Sequence, residues 1–145
     1  MAESVHELSV RIYYEDTDLA GIVYYANYLK FIERGRSEWV RAAGIDQMAL
    51  KDRGVIFAVR HIVADYLQPA HFGEDLVVTT RLVHLGGARI SLGQAVLRGC
   101  QALFQAEVTL VCVGRDGRPM RVPREISDAL AVWGKTTEQQ ASDQS

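Results

Sequence analysis

Residues 27–43, Asn-Tyr-Leu-Lys-Phe-Ile-Glu-Arg-Gly-Arg-Ser-Glu-Trp-Val-Arg-Ala-Ala, form the one long stretch of this 145-residue chain in which apolar residues recur every three or four positions. Tyr28, Phe31, Ile32, Gly35, Trp39, Ala42 and Ala43 fall on one side, while Lys30, Glu33, Arg34, Glu38 and Arg41 take the others. That spacing predicts an amphipathic helix over 27–43, stopped at Gly44. Glu33 with Arg36, and Arg34 with Glu38, stand at helical pair spacings and read as surface support worth about a few tenths of a kcal/mol.

Working outward, the period on both sides changes to two. Leu8, Val10, Ile12 and Tyr14 alternate with Ser9, Arg11 and Tyr13, which predicts a half-buried strand over 8–14. Beyond Gly44, residues 45–53 read as a short helical or irregular piece. Residues 55–67 are rich in β-branched and aromatic side chains and stop at Gln68-Pro69-Ala70, where proline removes a ladder donor. Strands are predicted over 76–84 and 88–98, joined at Gly86-Gly87, a dipeptide that tolerates the positive φ of a tight turn. Ala102, Phe104, Ala106, Val108, Leu110 and Cys112 alternate with polar residues and predict a last strand with one core face. Arg115-Asp116-Gly117-Arg118 reads as a turn, and Pro123 precedes a short helix carrying Ile126, Leu130 and Trp133. Residues 1–134 are thus expected to form one domain and 135–145 a polar, fraying tail.

One long helix followed by strands joined through tight turns argues for an α+β fold with an antiparallel sheet wrapped round a central helix. The sheet's other face and its edges then need partners, so an oligomer is expected.

Composition narrows the function classes. Sixteen Lys and Arg against eighteen Asp and Glu, with the basic residues scattered, leave no electrostatic footprint for a nucleic-acid backbone. The start, MAESVHEL, lacks the basic and apolar regions of a secretory signal, and no apolar run approaches the ~18 residues of a spanning helix. A cytoplasmic protein with no integral membrane segment is expected. Cys100 and Cys112 lie in strand-like sequence without a metal-ligand spacing and are expected to be reduced core residues.

The densest polar information lies between the first strand and the helix, in Tyr14-Glu15-Asp16-Thr17-Asp18-Leu19-Ala20-Gly21-Ile22-Val23-Tyr24-Tyr25-Ala26. In an extended stretch Asp16 and Asp18 would point the same way and Glu15 the other. Local bonding of these carboxylates to loop N–H groups is one reading. The other is chemical. Gly21 permits close backbone approach by a ligand, and the helix start offers unpaired N–H donors whose dipole favours negative charge. A carboxylate upstream then supplies a base or nucleophile and the helix start an oxyanion hole, the two parts acyl transfer needs. There is no GxSxG elbow, zinc-ligand spacing or P-loop, and Ala20 stands where a D-x-D-x-T phosphatase loop requires threonine. His61, His71 and His84 lack a triad partner in sequence and read as structural or surface residues.

The pattern Y-x-D-T-D-x-x-G-x-V-Y-Y-x-N-Y-L, continued by F-x-E-x-x-R and by D-Y-L-Q-P-A at 65–70, resembles the hot-dog fold acyl-CoA thioesterases, closest to the tol-pal-associated and 4-hydroxybenzoyl-CoA thioesterase branch. The resemblance spans 10–123 and implies a hot-dog fold. It makes Asp18 the catalytic carboxylate, as nucleophile or as base for water, with the Tyr25 amide facing the thioester oxygen and Val23 and Tyr24 forming the adjacent wall. Tyr25 stands where tol-pal-associated relatives often carry histidine. Asp16 is expected to brace the loop, and Glu33 is the competing carboxylate, as another hot-dog branch carries its catalytic glutamate on the central helix. Tyr28 and residues 56–59 are expected pocket walls. Among Arg81, Arg89 and Arg98, Arg89 is named for the CoA phosphates. The resemblance further implies a homotetramer built as a dimer of dimers, acting on a short-chain or aromatic acyl-CoA without metal or bound cofactor, with envelope or lipid-synthesis protein partners. The alternative is a non-catalytic hot-dog protein that binds or scaffolds acyl groups.

Overall fold

A computed structural model of the chain describes residues 4–144, with side chains as far as Gly134. Strand β1 (His6–Arg11) leads through a 3-10 turn (Tyr14–Asp16) and a loop into helix α1 (Asn27–Ala42), then a short helix α2 (Gln47–Asp52). Four strands follow, β2 (Ile56–Tyr66), β3 (Asp75–Gly86), β4 (Arg89–Arg98) and β5 (Gln101–Val113), and helix α3 (Arg124–Gln144) ends the described chain. The strands form one antiparallel sheet in the order β1-β3-β4-β5-β2. This is the α+β arrangement expected from the change of period.

Helix α1 lies across the middle of the sheet because its apolar stripe and the sheet's inner face bury each other. Phe31, Ile32 and Trp39 are fully buried against Leu76, Val78, Leu92 and Val96. Each such side chain contributes about 1.5–3 kcal/mol on leaving water. Gly35 sets the closeness of the contact: a Cβ there would stand 2.7 Å from Val78 Cγ1, inside any real contact distance. Beside it the buried Gln94 side chain donates to the Ile32 carbonyl at 2.8 Å and to Thr80 Oγ1 at 2.9 Å, and accepts from Arg36 Nη1 at 3.0 Å. A buried amide is tolerated because each of its polar atoms has a partner.

Three expectations are corrected. The first strand stops at Arg11, before Tyr14, which is exposed: Tyr13 N–H turns back to Asp16, and the 3-10 turn ends the alternation. Helix α3 is long, not short. Gly134 keeps helical φ and packs against Leu82, where an added Cβ would stand 2.8 Å from Leu82 Cδ2, so the helix continues through it to Gln144. The expected polar tail, 135–145, falls on residues whose side chains lie outside the described part. Cys112 is a buried free thiol as expected, but Cys100 is exposed in the β4–β5 turn, where Gly99 takes φ +62°.

The predicted helix-surface pairs also differ. Glu38 meets Arg41 at 3.8 Å, Arg34 lies over the Phe31 ring at 5.8 Å, and Arg36 turns inward to Gln94. Among the described residues no helix is long and apolar enough to cross a membrane.

Candidate active site

The loop between β1 and α1 is a miniature hairpin. Thr17 bridges Val23, Asp18 N–H donates to Ile22 O at 2.9 Å, and Tyr24 N–H donates to Asp16 O at 2.9 Å. Gly21 makes the return with φ +83° and open space where a Cβ would be, a conformation that L side chains rarely adopt. Val23 N–H donates to Ala70 O and Ile22 bridges His71, so the loop is stitched to the segment that leads into β3.

The two aspartates of this loop have unlike surroundings. Asp16 is buried: Oδ2 accepts from Tyr13 N–H at 2.8 Å and Oδ1 from Asn27 Nδ2 at 2.9 Å. Asp18 is exposed, and its side-chain bond among the described residues is local, Oδ1 accepting from Ala20 N–H at 2.9 Å. The expectation that both point the same way fails because the 3-10 turn replaces extended backbone at Tyr14–Asp16. Asp16 is thus bonded as a brace, and Asp18 offers a solvent-facing carboxylate. Glu33, the competing carboxylate, is exposed on α1 and lines a different cleft, with Arg36, Trp39, Phe57 and Val59.

The backbone just before α1 is held with a donor to spare. Asn27 N–H donates to Tyr24 O at 2.8 Å, which fixes the Tyr24–Tyr25 peptide plane. In a trans peptide the N–H points opposite to the carbonyl, so the Tyr25 N–H is turned away from Asn27. It makes no hydrogen bond among those of the described residues. The next peptide is held by Tyr66, whose hydroxyl donates to Tyr25 O at 2.9 Å. Such oriented donors at a helix start favour an oxyanion.

Aromatic rings surround this point. Tyr24 and Tyr25 lie 4.8 Å apart, Tyr25 and Tyr66 6.4 Å, and Tyr66 stands edge-on to Phe104 at 5.0 Å. Burial first, and then the neighbouring Tyr25, push the Tyr66 hydroxyl above the ordinary phenol range, so it stays a proton donor. Tyr28, expected as a pocket wall, is buried beneath: it stacks on Phe104 at 5.0 Å and its hydroxyl accepts from Ala70 N–H at 3.2 Å. Val23 is likewise buried, whereas Tyr24 and Tyr25 are exposed.

One charge pair clamps the segment behind the loop. Arg98 Nη1 donates to Glu74 Oε2 at 3.0 Å and to Pro69 O at 3.3 Å. Burial pushes the Glu74 carboxyl up, but the His71 N–H and the Arg98 guanidinium outweigh it and hold the group below the ordinary carboxylate range.

Arg89 is not brought to this site. The loop sits at the Asp75 end of β3, since Ile12 N–H donates to Glu74 O, and Arg89 pairs with Gly86 at the other end. At about 3.3 Å per residue the two ends of β3 are separated by about 35 Å of strand. There Arg89 lines a second cleft with Arg60 and His84. Tyr66, Asn27 and the Glu74–Arg98 pair were not assigned roles from the sequence. Tyr66 and Asn27 stood inside the quoted motifs, but only their contacts give them a task.

Residues 13–130 match the thioesterase-like superfamily family model. The acyl-CoA thioesterase YbgC of Haemophilus influenzae is 34% identical over 132 residues, covering 90% of this chain and 97% of that relative. The acyl-CoA thioesterase YbgC of Helicobacter pylori strain J99 is 41% identical over 132 residues, covering 84% of this chain and 97% of its own. The crystal structure of a probable thioesterase from Bartonella henselae superposes with a TM-score of 0.79 at 36% identity, over 82% of this chain and 99% of that one.

Proposed function

The chain belongs to the thioesterase-like superfamily, and on that premise we propose that it hydrolyses a short-chain or aromatic acyl-CoA to free acid and CoA at the Asp18 loop, without metal or bound cofactor. The observation that carries the reading is the pairing of an exposed Asp18 carboxylate with an unpartnered Tyr25 N–H on one small hairpin braced by buried Asp16. Kinship to named acyl-CoA thioesterases over most of the chain supports the substrate class.

In this reading the thioester carbonyl oxygen accepts from Tyr25 N–H, and the charge that develops on it is met by a donor already oriented. Asp18 acts in one of two ways. It attacks the carbonyl carbon, the C–S bond breaks to release CoA thiolate, and water then cleaves the anhydride. Otherwise it takes a proton from the water that attacks the carbonyl carbon, and the C–S bond of the resulting tetrahedral intermediate breaks to release CoA and the free acid. Gly21 lets the ligand approach the backbone, Tyr24 forms the near wall, Val23 backs it, and Tyr28 supports Tyr66 from beneath at 5.6 Å. The exposed tyrosine rings suit a compact or aromatic acyl group.

The oligomer belongs to the same proposal. Strand β2 is a sheet edge of eleven residues, paired with β5 alone among the described residues, and carries exposed Ile56, Val59 and Val63. An unpaired edge of this length invites a second copy. Antiparallel pairing of two β2 strands about a twofold axis would bring the Ile56 end of one copy beside the Tyr66 end of the other. That would carry the cleft of Arg60, His84 and Arg89 toward the Asp18 loop of the second copy, where it would meet the CoA phosphates. A cytoplasmic, reducing location suits this substrate and the two free thiols; a dimer of dimers and envelope or lipid-synthesis partners complete the proposal.

The test is thiol release by wild type and Asp18→Asn on propionyl-, hydroxybutyryl-, palmitoyl- and benzoyl-CoA, with and without EDTA. The proposal expects wild-type turnover that survives EDTA and is lost in the variant; an inert wild type would move the reading to acyl binding without catalysis.

A further inference from the structure

The fold gathers cations that lie far apart along the chain. Residues 115–124, Arg-Asp-Gly-Arg-Pro-Met-Arg-Val-Pro-Arg, hold four arginines and one aspartate in a chain whose formal net charge is −2. Gly114 N–H donates to Arg118 O at 3.0 Å, Val113 bridges Pro119, and Met120 N–H donates to Cys112 O at 2.8 Å, so the segment folds back as a hairpin on the end of β5. Val122 N–H then donates to Gly87 O at 2.9 Å, which lays the returning arm beside the β3–β4 turn. Arg115 Nη2 donates to Asp52 O at 2.8 Å and brings the end of α2 to the same place.

The charges at this end do not cancel. Glu125 is taken by Arg53 at 2.8 Å, and Asp128 stands 3.9 Å from Arg124. Lys51, Arg60, Arg89, Arg115, Arg118 and Arg121 make no ion pair among the described residues, and the carboxylates left on the same segments are Asp52 and Asp116. Asp116 Oδ1 accepts from the Arg118 backbone N–H at 3.0 Å, while the Arg118 and Arg121 side chains are exposed. No large apolar residue is exposed over 114–125. A tightly held protein partner would want an apolar or aromatic anchor at the centre of such a patch. A layer of anionic headgroups asks only for closely set cations, and guanidinium groups meet phosphate oxygens two at a time.

We propose that this arginine-rich end, centred on Arg118 and Arg121, is a docking surface for an anionic phospholipid bilayer. The surface follows from charge and exposure and does not depend on the hydrolase reading. Binding is peripheral: each basic residue near the headgroups adds its own attraction, which salt screens beyond a Debye length.

The test is co-sedimentation of the full chain with vesicles of phosphatidylcholine alone and of phosphatidylcholine mixed with phosphatidylglycerol, at low and high sodium chloride, with circular dichroism to confirm folding. Wild type is expected to bind the mixed vesicles, to ignore the neutral ones, and to be released by salt. Arg118→Gln with Arg121→Gln is expected to lower the partition coefficient about 30-fold, the loss of two basic residues at the headgroups. Lys30→Gln with Arg34→Gln removes the same charge from exposed positions in the half of α1 nearer the Asp18 loop, and is expected to change it by less than about twofold. Wild type that ignores the mixed vesicles, equal binding to neutral vesicles, or a Lys30 and Arg34 variant as weak as the Arg118 and Arg121 one would each overturn the proposal. Retention on immobilised heparin without vesicle binding would overturn it in favour of an acidic macromolecule.

Discussion

The Tyr66 hydroxyl donates to the carbonyl oxygen of Tyr25 at 2.9 Å, tying the end of edge strand β2 to the peptide just before α1. The preceding peptide is held by Asn27 N–H on Tyr24 O, and Asn27 is itself bonded to buried Asp16. The unpartnered Tyr25 N–H is therefore aimed by residues from three parts of the chain. A donor that needs no reorganisation is what a developing oxyanion requires.

Tyr66→Phe keeps the ring contacts and removes only this tie. A single net hydrogen bond is worth about 0.5–1.5 kcal/mol, so kcat is expected to fall about 2–10-fold with little change in KM. Steady-state kinetics on one good acyl-CoA checks this. Tyr25→Phe, which leaves the backbone donor in place, is expected to retain activity within about twofold of wild type.

Asp18 and Asp16 are expected to separate activity from stability. Asp18→Asn should lower kcat by about 10²–10⁴-fold, the range for loss of an acid–base group, with an unchanged melting temperature because the side chain is exposed. Asp16→Ala leaves Tyr13 N–H and the Asn27 amide without their acceptor, a loss of about 1–3 kcal/mol. Calorimetry alongside thiol release would expose the reverse pattern, which would exchange the two roles.

Gly35→Ala drives a methyl into Val78 and the Gln94 side chain, neither of which is free to retreat. Overpacking of this kind costs about 1–3 kcal/mol. Urea unfolding is expected to show a lower midpoint at the same slope, although alanine is the better helix former.

Glu74 gives a pH dependence of known sign. Its folded carboxyl lies below its unfolded value of about 4.3, so it stabilises the fold fully above that value and loses the contribution as pH falls through the folded pKa. Glu74→Gln is expected to flatten the acid limb of the stability curve below about pH 4. The effect should be small, because the pair is partly open to solvent. An acid limb as steep as wild type would assign that dependence to other carboxylates.

What could be read along the chain was whatever depends on near neighbours. The 3.6-residue stripe of 27–43 and the period-two runs gave α1 and the strands to within a residue or two over most of their length, because burying one face imposes that spacing wherever the partner lies. Asp18 and the helix-start amide could be picked out as candidates for the same reason: loop and helix are adjacent in sequence. The strand reading failed at Tyr14 and the helix reading beyond Gly134, where a bond from Tyr13 to Asp16 and packing on Leu82 overrode local pattern.

The sequence by itself thus determined most of the elements, the α+β class and the loop proposed for the chemistry. Only the tertiary structure decided which aspartate is buried, that Tyr66 crosses 41 positions to hold Tyr25, that Arg98 clamps Glu74, and that Arg89 stands at the far end of the sheet. Those outcomes follow from the strand order β1-β3-β4-β5-β2, in which the neighbours of a residue are set by register across the sheet. Periodicity says which face a side chain takes; it carries no record of what will stand opposite.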